Sequence, residues 1–545
     1  MFDRAPTLQS HCRWNPQRIV CLTLAVVALQ ASVAIASPIE SIRATSDAIV
    51  LTIDSQILPD TTLSLHGVPI HAQLSPASPG VELWTGTPAR EISLPRFHNG
   101  DDLLYHRFSL SSNGNSIQAA AFVTDVSALP GPTASLPQPT SPKGLQCIVD
   151  IDDAIALGVK HSAINVSLAQ LHDGSGRSSL RIVVDEKPVH LHESTVAHLD
   201  NTIRRMTNAG MRVNLILLNH LPSPDRPAGP LVDPRTDRTT PQRIGGFHLD
   251  TPESARIYRG LIEFLAERYS KPKAPHGTVA GYIIGNEVQS HFDWYNLGEI
   301  APADLVANYA RALRVADLAV RQHHPDARVF VSMDHNWNRQ HRPNPRQSLP
   351  GKQFLDQLNE HISPEGNFPW GLAFHPYAEN LGNPRTWQDT TALLACDSPR
   401  ITFKNLEVLT TYLQQLHYLF AGAPRRLIFS EQGFHCLDSP EGERLQAAAY
   451  AFAYQRVLRI PGIESFIYHR HVDHAHEGGL RLGLRANQPG TVTTPGEPRQ
   501  IFDIFRQIDA DTPADPAQFA LENIGISSWD EVSPKPIQQF PHKAP

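Results

Sequence analysis

Cysteine is scarce in this chain: five occur in 545 residues, and two of them, Cys12 and Cys21, fall near the start. The other three, Cys147, Cys396 and Cys436, lack the close spacing of zinc ligands and allow at most one internal disulfide. Excess basic charge is missing too. A formal net charge of −7 and a pI near 6.4 leave no electrostatic footprint for nucleic acid, although a local basic pocket is compatible with them. Past residue 36 no apolar run is long enough to span a bilayer. No Gly-x-Gly-x-x-Gly or Walker loop follows a strand-like segment, which argues against dinucleotide and nucleotide-triphosphate sites. What the chain does have is 41% hydrophobic residues, enough for a sizeable core. Its 46 prolines against 33 glycines point to many stiffened loops.

The first 36 residues read as an export leader. Arg4, Arg13 and Arg18 precede the apolar run from Ile19 to Leu29, and Ala34-Ile-Ala36 is a cleavage site that would leave Ser37 first. Gln30 and Ser32 interrupt the run and Pro38 follows it, against a retained anchor. The expectation is a periplasmic or secreted protein with no stable membrane insertion after cleavage.

Residues 37–128 show short alternating runs such as Ala48–Ile53, His66–Leu74 and Ala119–Thr124, the pattern of a small β-sandwich. Residues 129–143 form a proline-rich linker. From 144 to about 510 strands and helices alternate. Strands are expected at Gly144–Gln146, Ser162–Leu168, Arg212–Leu218, Val279–Ile284, Arg328–Met333, Gly371–His375, Arg426–Ser430 and Ile463–His469. A hairpin turning at Glu186-Lys187-Pro188 interrupts the second unit, and Asn405–Phe420 reads as a helix. Eight such strands favour an α/β fold, a closed (β/α)₈ TIM barrel behind the sandwich, over an open doubly wound sheet. Residues 511–545 remain as a C-terminal extension.

In a barrel the reacting groups sit at the C-terminal ends of strands. Reading there yields Asn165 with Ser167 near the end of the second strand, His220 after the third, Asn286-Glu287 after the fourth and Asp334-His335-Asn336-Trp337 at the end of the fifth. The sixth gives His375 and Tyr377, the seventh Glu431 and the eighth His469. Two carboxylates at the fourth and seventh strand ends are what glycosidic cleavage needs, one to protonate the leaving oxygen and one to attack. Trp294, Tyr295, Trp337 and Phe434 are candidates for stacking on sugar rings, with Trp337 the leading one, whereas Trp370 precedes its strand and reads as packing at the opposite end of the barrel.

Gly281-Tyr-Ile-Ile-Gly-Asn-Glu287, Ala373-Phe-His-Pro-Tyr377 and Ile428-Phe-Ser-Glu-Gln-Gly433 resemble the clan A glycoside hydrolases. More closely, the chain is similar to a bacterial family of unknown function usually placed near that clan. The resemblance implies Glu287 as acid/base, Glu431 as nucleophile and a retaining double displacement on a β-linked oligo- or polysaccharide, without metal or cofactor. It also implies that Asn286 binds the hydroxyl next to the reacting carbon, and that Tyr377 or His375 hydrogen-bonds the nucleophile. The chain departs from the clan pattern after strand two, where Asn165 and Ser167 stand for an arginine, and after strand eight, where Tyr468-His469 replaces a tryptophan.

Two other readings stand beside this one: a glycan-binding barrel without turnover, and a metal-dependent hydrolase built on the histidine-dense segment His469–His476. Arg470, Arg481 and Arg485 in and after that segment either bind an acidic group on the glycan or are solvated. Cys396 and Cys436 fall in loops on one barrel face, either bonded or free.

Overall fold

The computed structural model describes residues 38–537, apart from 55–61, 73–79, 88, 113–114, 117–119 and 512–514. The leader lies outside the described residues. Among those described, no helix is long and apolar enough to cross a membrane.

Eight parallel strands close into a barrel: β1 Lys143–Gln146, β2 His161–Ser167, β3 Arg212–Leu218, β4 Gly281–Ile284, β5 Arg328–Asp334, β6 Gly371–His375, β7 Leu427–Gln432 and β8 Ile463–Tyr468. β3 is buried almost throughout because it is covered on both faces, as a central parallel strand must be. Inside, Ala163, Ile216, Ile283, Phe330, Ala373, Ile428 and Ile467 form a separate apolar plug. Phe330 fills the floor because glycines flank it. A Cβ on Gly281 or Gly371 would come within 2.7 Å or 2.6 Å of its ring. One turn nearer the mouth the same faces carry polar groups, with Asp334 in register beside His375. The plug thus ends where the chemistry begins.

Helices Glu193–Asn208, Pro252–Arg268, Pro302–Arg321, Gly351–Ile362, Gly442–Arg459 and Gln500–Gln507 wrap the outside. Thr251 caps the second of these through a reciprocal box with Ser254. The hairpin of the second unit is present as Arg181–Val184 and Lys187–His190, but its turn is Asp185-Glu186, both with positive φ, one residue earlier than the proline implied. The helix expected at Asn405–Phe420 is only Glu407–Tyr412 followed by a single turn at Leu416–Tyr418. The hydroxyls of Tyr412 and Tyr418 both reach Asp356, so the chain must fold back between them.

Ahead of the barrel lie two small antiparallel sheets. One joins Ile39–Ala44, Ala48–Ile53 and Glu91–Pro95; the other joins Val81–Gly86, Leu63–Pro69, His106–Ser112 and Asn115–Ser116. The expected strand at Ala119–Thr124 is not formed over its described part, where Ala121 makes only an isolated bridge to Phe108.

Residues 38–545 form one compact unit, and polar contacts tie these sheets to the barrel wall. Arg96 pairs with Asp102 and donates to Gln322 at 3.0 Å, Gln322 donates to Tyr105 at 2.7 Å, and Tyr105 donates to Glu263 at 2.5 Å. Arg314 lies 5.1 Å over the ring of Phe122. The proline-rich segment runs along the wall, with Ala134 bonded to Ser270 and His324.

Candidate active site

Glu287 follows β4 through a sharp turn. Gly285 takes φ +73°, and a Cβ there would meet the Tyr295 ring at 2.8 Å. Glu287 itself adopts φ 39°, a left-handed conformation uncommon for a non-glycine residue. Its N–H donates to the Ser332 hydroxyl at 3.0 Å, which fixes the turn against β5. Glu431 reaches the mouth by another device. The pairing of β7 with β8 slips between Phe429 and Gln432, and the irregularity turns Glu431 into the cavity next to inward-facing Ser430.

Both glutamates line one cavity of about 940 Å³. Oxygen and nitrogen atoms of Glu287, His375 and Glu431 lie within 4.8 Å of one another. The two carboxylates sit in opposite electrostatic settings. Burial pushes the Glu287 carboxyl up to about 7, helped by the charges of Asp334 and Glu431 and opposed by His375. Burial works on Glu431 in the same sense, yet the charges of His469 and His375 and a hydrogen bond from Gln146 hold it below the usual range. Environments that drive two neighbouring carboxyls apart in this way suit one as proton donor and the other as anion.

The supporting shell is specific. His375 Nδ1 is 2.9 Å from Glu287 Oε1 and its Nε2 is 3.0 Å from Ser430 Oγ. Tyr377 donates its hydroxyl to Glu431 at 3.2 Å. Of the two alternatives for the partner of Glu431 it is therefore Tyr377, whereas His375 contacts Glu287. Both ring nitrogens of His375 are engaged, so a cation at these three residues would have to displace a hydrogen bond. Behind Glu431, His469 is bracketed by Gln146 at 2.6 Å and Glu477 at 2.7 Å, which leaves it as an indirect support and not a lining residue. The His469–Arg470 peptide is cis.

Other expected residues fall elsewhere. Trp337 does not line the cavity. It is wholly buried, edge-on to Tyr412 with ring centroids 4.9 Å apart, because its backbone N–H is drawn to Pro399 O. Tyr295, Trp370 and Phe434 are buried as well, and Trp294 is the stacking candidate that reaches the cavity. Asn165 is exposed in a different cleft, beside the loop after the short β1. Asn286 is buried next to Glu287 and His220 sits at the loop after β3, neither of them on the cavity lining. His335 does line it, its imidazole driven down to about 4 by burial.

The histidine-dense segment is knitted into hydrogen-bonded and charged contacts: Arg470 and His469 to Glu477, His471 and Arg485 to Asp153, Arg499 to Asp473. Arg481 donates to Cys436 O. These partners engage His469 and His471, while His476 lines the cavity. The three described cysteines are free thiols, so the Cys396–Cys436 bond is not made.

Sequence reading found Asp334 at the end of β5 but missed Arg339, His341, Glu379 and Arg400 on the lining. Asp334 was legible, since Phe330, Ser332 and Asp334 share the inward face of β5. The others stand on irregular loops with no periodicity to betray them.

A family model described as a family of unknown function (DUF5722) matches residues 135–532, well over half of the chain. The chain belongs to that family. No curated protein matches this DUF5722 member. Its barrel is similar to solved structures at low identity. A family 39 glycoside hydrolase from Bacteroides cellulosilyticus WH2 is 12% identical, with 83% of this chain and 78% of that one covered and a TM-score of 0.45. A β-glucosidase from Pyrococcus furiosus is 14% identical, covering 69% and 86%, TM-score 0.43. A β-xylosidase from Caulobacter crescentus CB15 is 12% identical, covering 69% and 70%, TM-score 0.40.

Proposed function

We propose that this protein is an exported retaining glycoside hydrolase that cleaves a β-linked glycan by double displacement. One observation carries the reading: two glutamates at opposed strand ends bring carboxylate oxygens within 4.8 Å, one carboxyl raised to about 7 and the other lowered. Retaining enzymes hold their carboxyls about 5–5.5 Å apart, and inverting ones leave room for a water at about 6.5–9.5 Å. In the first step the Glu431 carboxylate attacks the anomeric carbon. The glycosidic C–O bond breaks as the Glu287 proton passes to the leaving oxygen. In the second step Glu287, now a carboxylate, takes a proton from water, whose oxygen displaces Glu431 and restores both groups. Tyr377 and His469 favour the ionised nucleophile, while Asp334 and the dry setting keep the acid protonated. Export rests on the leader, and the carbohydrate substrate on the chemistry of the pair.

The test is turnover of aryl β-glycosides and a broad panel of oligosaccharides, with product anomers followed by proton NMR. Retained configuration, and losses of about 10²–10⁴-fold in both Glu287→Gln and Glu431→Gln, are expected. An inverted first product, or either variant keeping its rate, would overturn the proposal.

A further inference from the structure

The same cavity carries two arginines that make no ion pair among the described residues. Arg339, on the exposed loop after β5, makes no ion pair among the described residues. Arg400, on the loop after β6, spends its one side-chain hydrogen bond on the neutral Thr391 hydroxyl at 2.8 Å, and its buried Nε has no partner. Neighbouring arginines are treated differently: Arg342 grips Asp293 with two bonds at 2.6 and 2.7 Å, and Arg470 holds Glu477.

The cavity's other acids are already satisfied. Asp334 accepts from Ser290 and from the backbone and side chain of Asn336. Glu379 accepts from Thr390 and Thr391 and, despite burial, is held down at about 2 by those bonds. Nor are the two guanidiniums adrift. Asn336 and Arg400 form a β-bridge, and Ile401 N donates to His335 O at 2.9 Å, so the two loops are stitched together. That stitching brings two like charges together: burial and then the charge of Arg339 lower the proton affinity of Arg400, against the opposing charges of Glu379, Asp389 and Asp334. Two like charges held side by side, with the acids around them bonded to other donors, favour an anion that can take donors from both.

We propose that Arg339 and Arg400 form a subsite for an anionic substituent on the glycan, a uronate carboxylate or a sulfate ester, so that the substrate is an acidic polysaccharide. Planar guanidiniums present forked donors that match the paired oxygens of either group. The proposal rests on the glycosidase reading for its substrate class, but its test does not need turnover.

Purified Glu287→Gln protein is applied to a glycan array holding uronate-bearing, sulfated and neutral oligosaccharides, with carboxyl-reduced and desulfated counterparts of each acidic probe. Binding confined to acidic probes and lost on reduction or desulfation is expected. Hits on uronates or on sulfates name the source of the anion. Arg339→Ala and Arg400→Lys in the same background should each weaken binding by about ten- to a hundredfold, the worth of a hydrogen bond to a charged group. Arg339 is exposed, so its variant should melt with the parent. Binding to neutral probes alone, no binding to any acidic probe, or affinity unmoved by both substitutions would overturn the subsite. The two ideas fail separately. Acidic probes bound by the variant but never cleaved by the wild type sink the glycosidase reading alone, and cleavage of neutral glycans with the arginines dispensable sinks the subsite alone.

Discussion

Replacing Glu287 by glutamine should make the protein more stable in mild alkali while destroying its turnover, and the stability gain should itself depend on pH. The Glu287 side chain is 12% exposed, and its carboxyl rises from an ordinary 4.5 to about 7. At about 1.4 kcal/mol for each tenfold change in proton affinity, ionising it in place costs roughly 3 kcal/mol more than ionising it in the unfolded chain. The unfolded carboxyl releases its proton near 4.5, the folded one near 7. Between those values the folded state binds the extra proton, so stability falls as pH rises, and the whole penalty is present above 7. Below 4.5 it is absent. Glutamine cannot ionise and escapes the penalty. Urea unfolding of wild type and Glu287→Gln, followed by tryptophan fluorescence at pH 4, 6 and 8, should show the difference in their stabilities shifting in favour of the variant by roughly 3 kcal/mol across that range. A difference that stays flat would mean that Glu287 titrates as an ordinary carboxyl, and the argument for it as the acid would collapse.

The rate profile should follow the same groups: kcat/KM on any cleaved glycoside falls as pH rises through about 7, where Glu287 loses its proton, and Asp334→Asn moves that limb to lower pH by removing a neighbouring negative charge. His469→Gln should move the acid limb to higher pH, since the histidine's charge helps keep Glu431 ionised, and an unmoved limb would remove His469 from the mechanism. Tyr377→Phe, which deletes the 3.2 Å bond to Glu431, should slow turnover about ten- to a hundredfold with the melting temperature little changed. Gly285→Ala, forced to φ +73° against Tyr295, should destabilise by about 1–3 kcal/mol in the same urea assay; a neutral result would mean that the turn before Glu287 is slack.

The barrel was readable because its strands announce themselves. Arg212–Leu218 is mostly apolar after Gly210, broken only by Arg212 and Asn214, and Gly371–His375 ends at the start of His375-Pro376, so both observed strands match their sequence bounds. Glu287 and Glu431 were readable because each follows such a run. What failed depended on contacts between loops. Asn165 lies near the end of β2 and Trp337 follows β5 as His335 does, but no local pattern says that the loop after β1 leaves the first in another cleft or that Pro399 pulls the second inward. The helix at Asn405–Phe420 had adequate propensity and was cut short by Asp356, a distant residue with two tyrosines to serve. Arg339 and Arg400 lie 61 positions apart on irregular backbone, and only the bridge between their loops makes them neighbours.

The chain of hydrogen bonds from Arg96 to Glu263 bears on how the protein can be dissected. The family match begins at residue 135, a tempting place to start a shortened protein. A protein begun there would strip Glu263 of the Tyr105 hydroxyl and expose the flank of helices Pro252–Arg268 and Pro302–Arg321 to water. The front sheets therefore serve as a wall of the barrel. Severing them would yield an insoluble or unstable fragment, whose inactivity would say nothing about sugars.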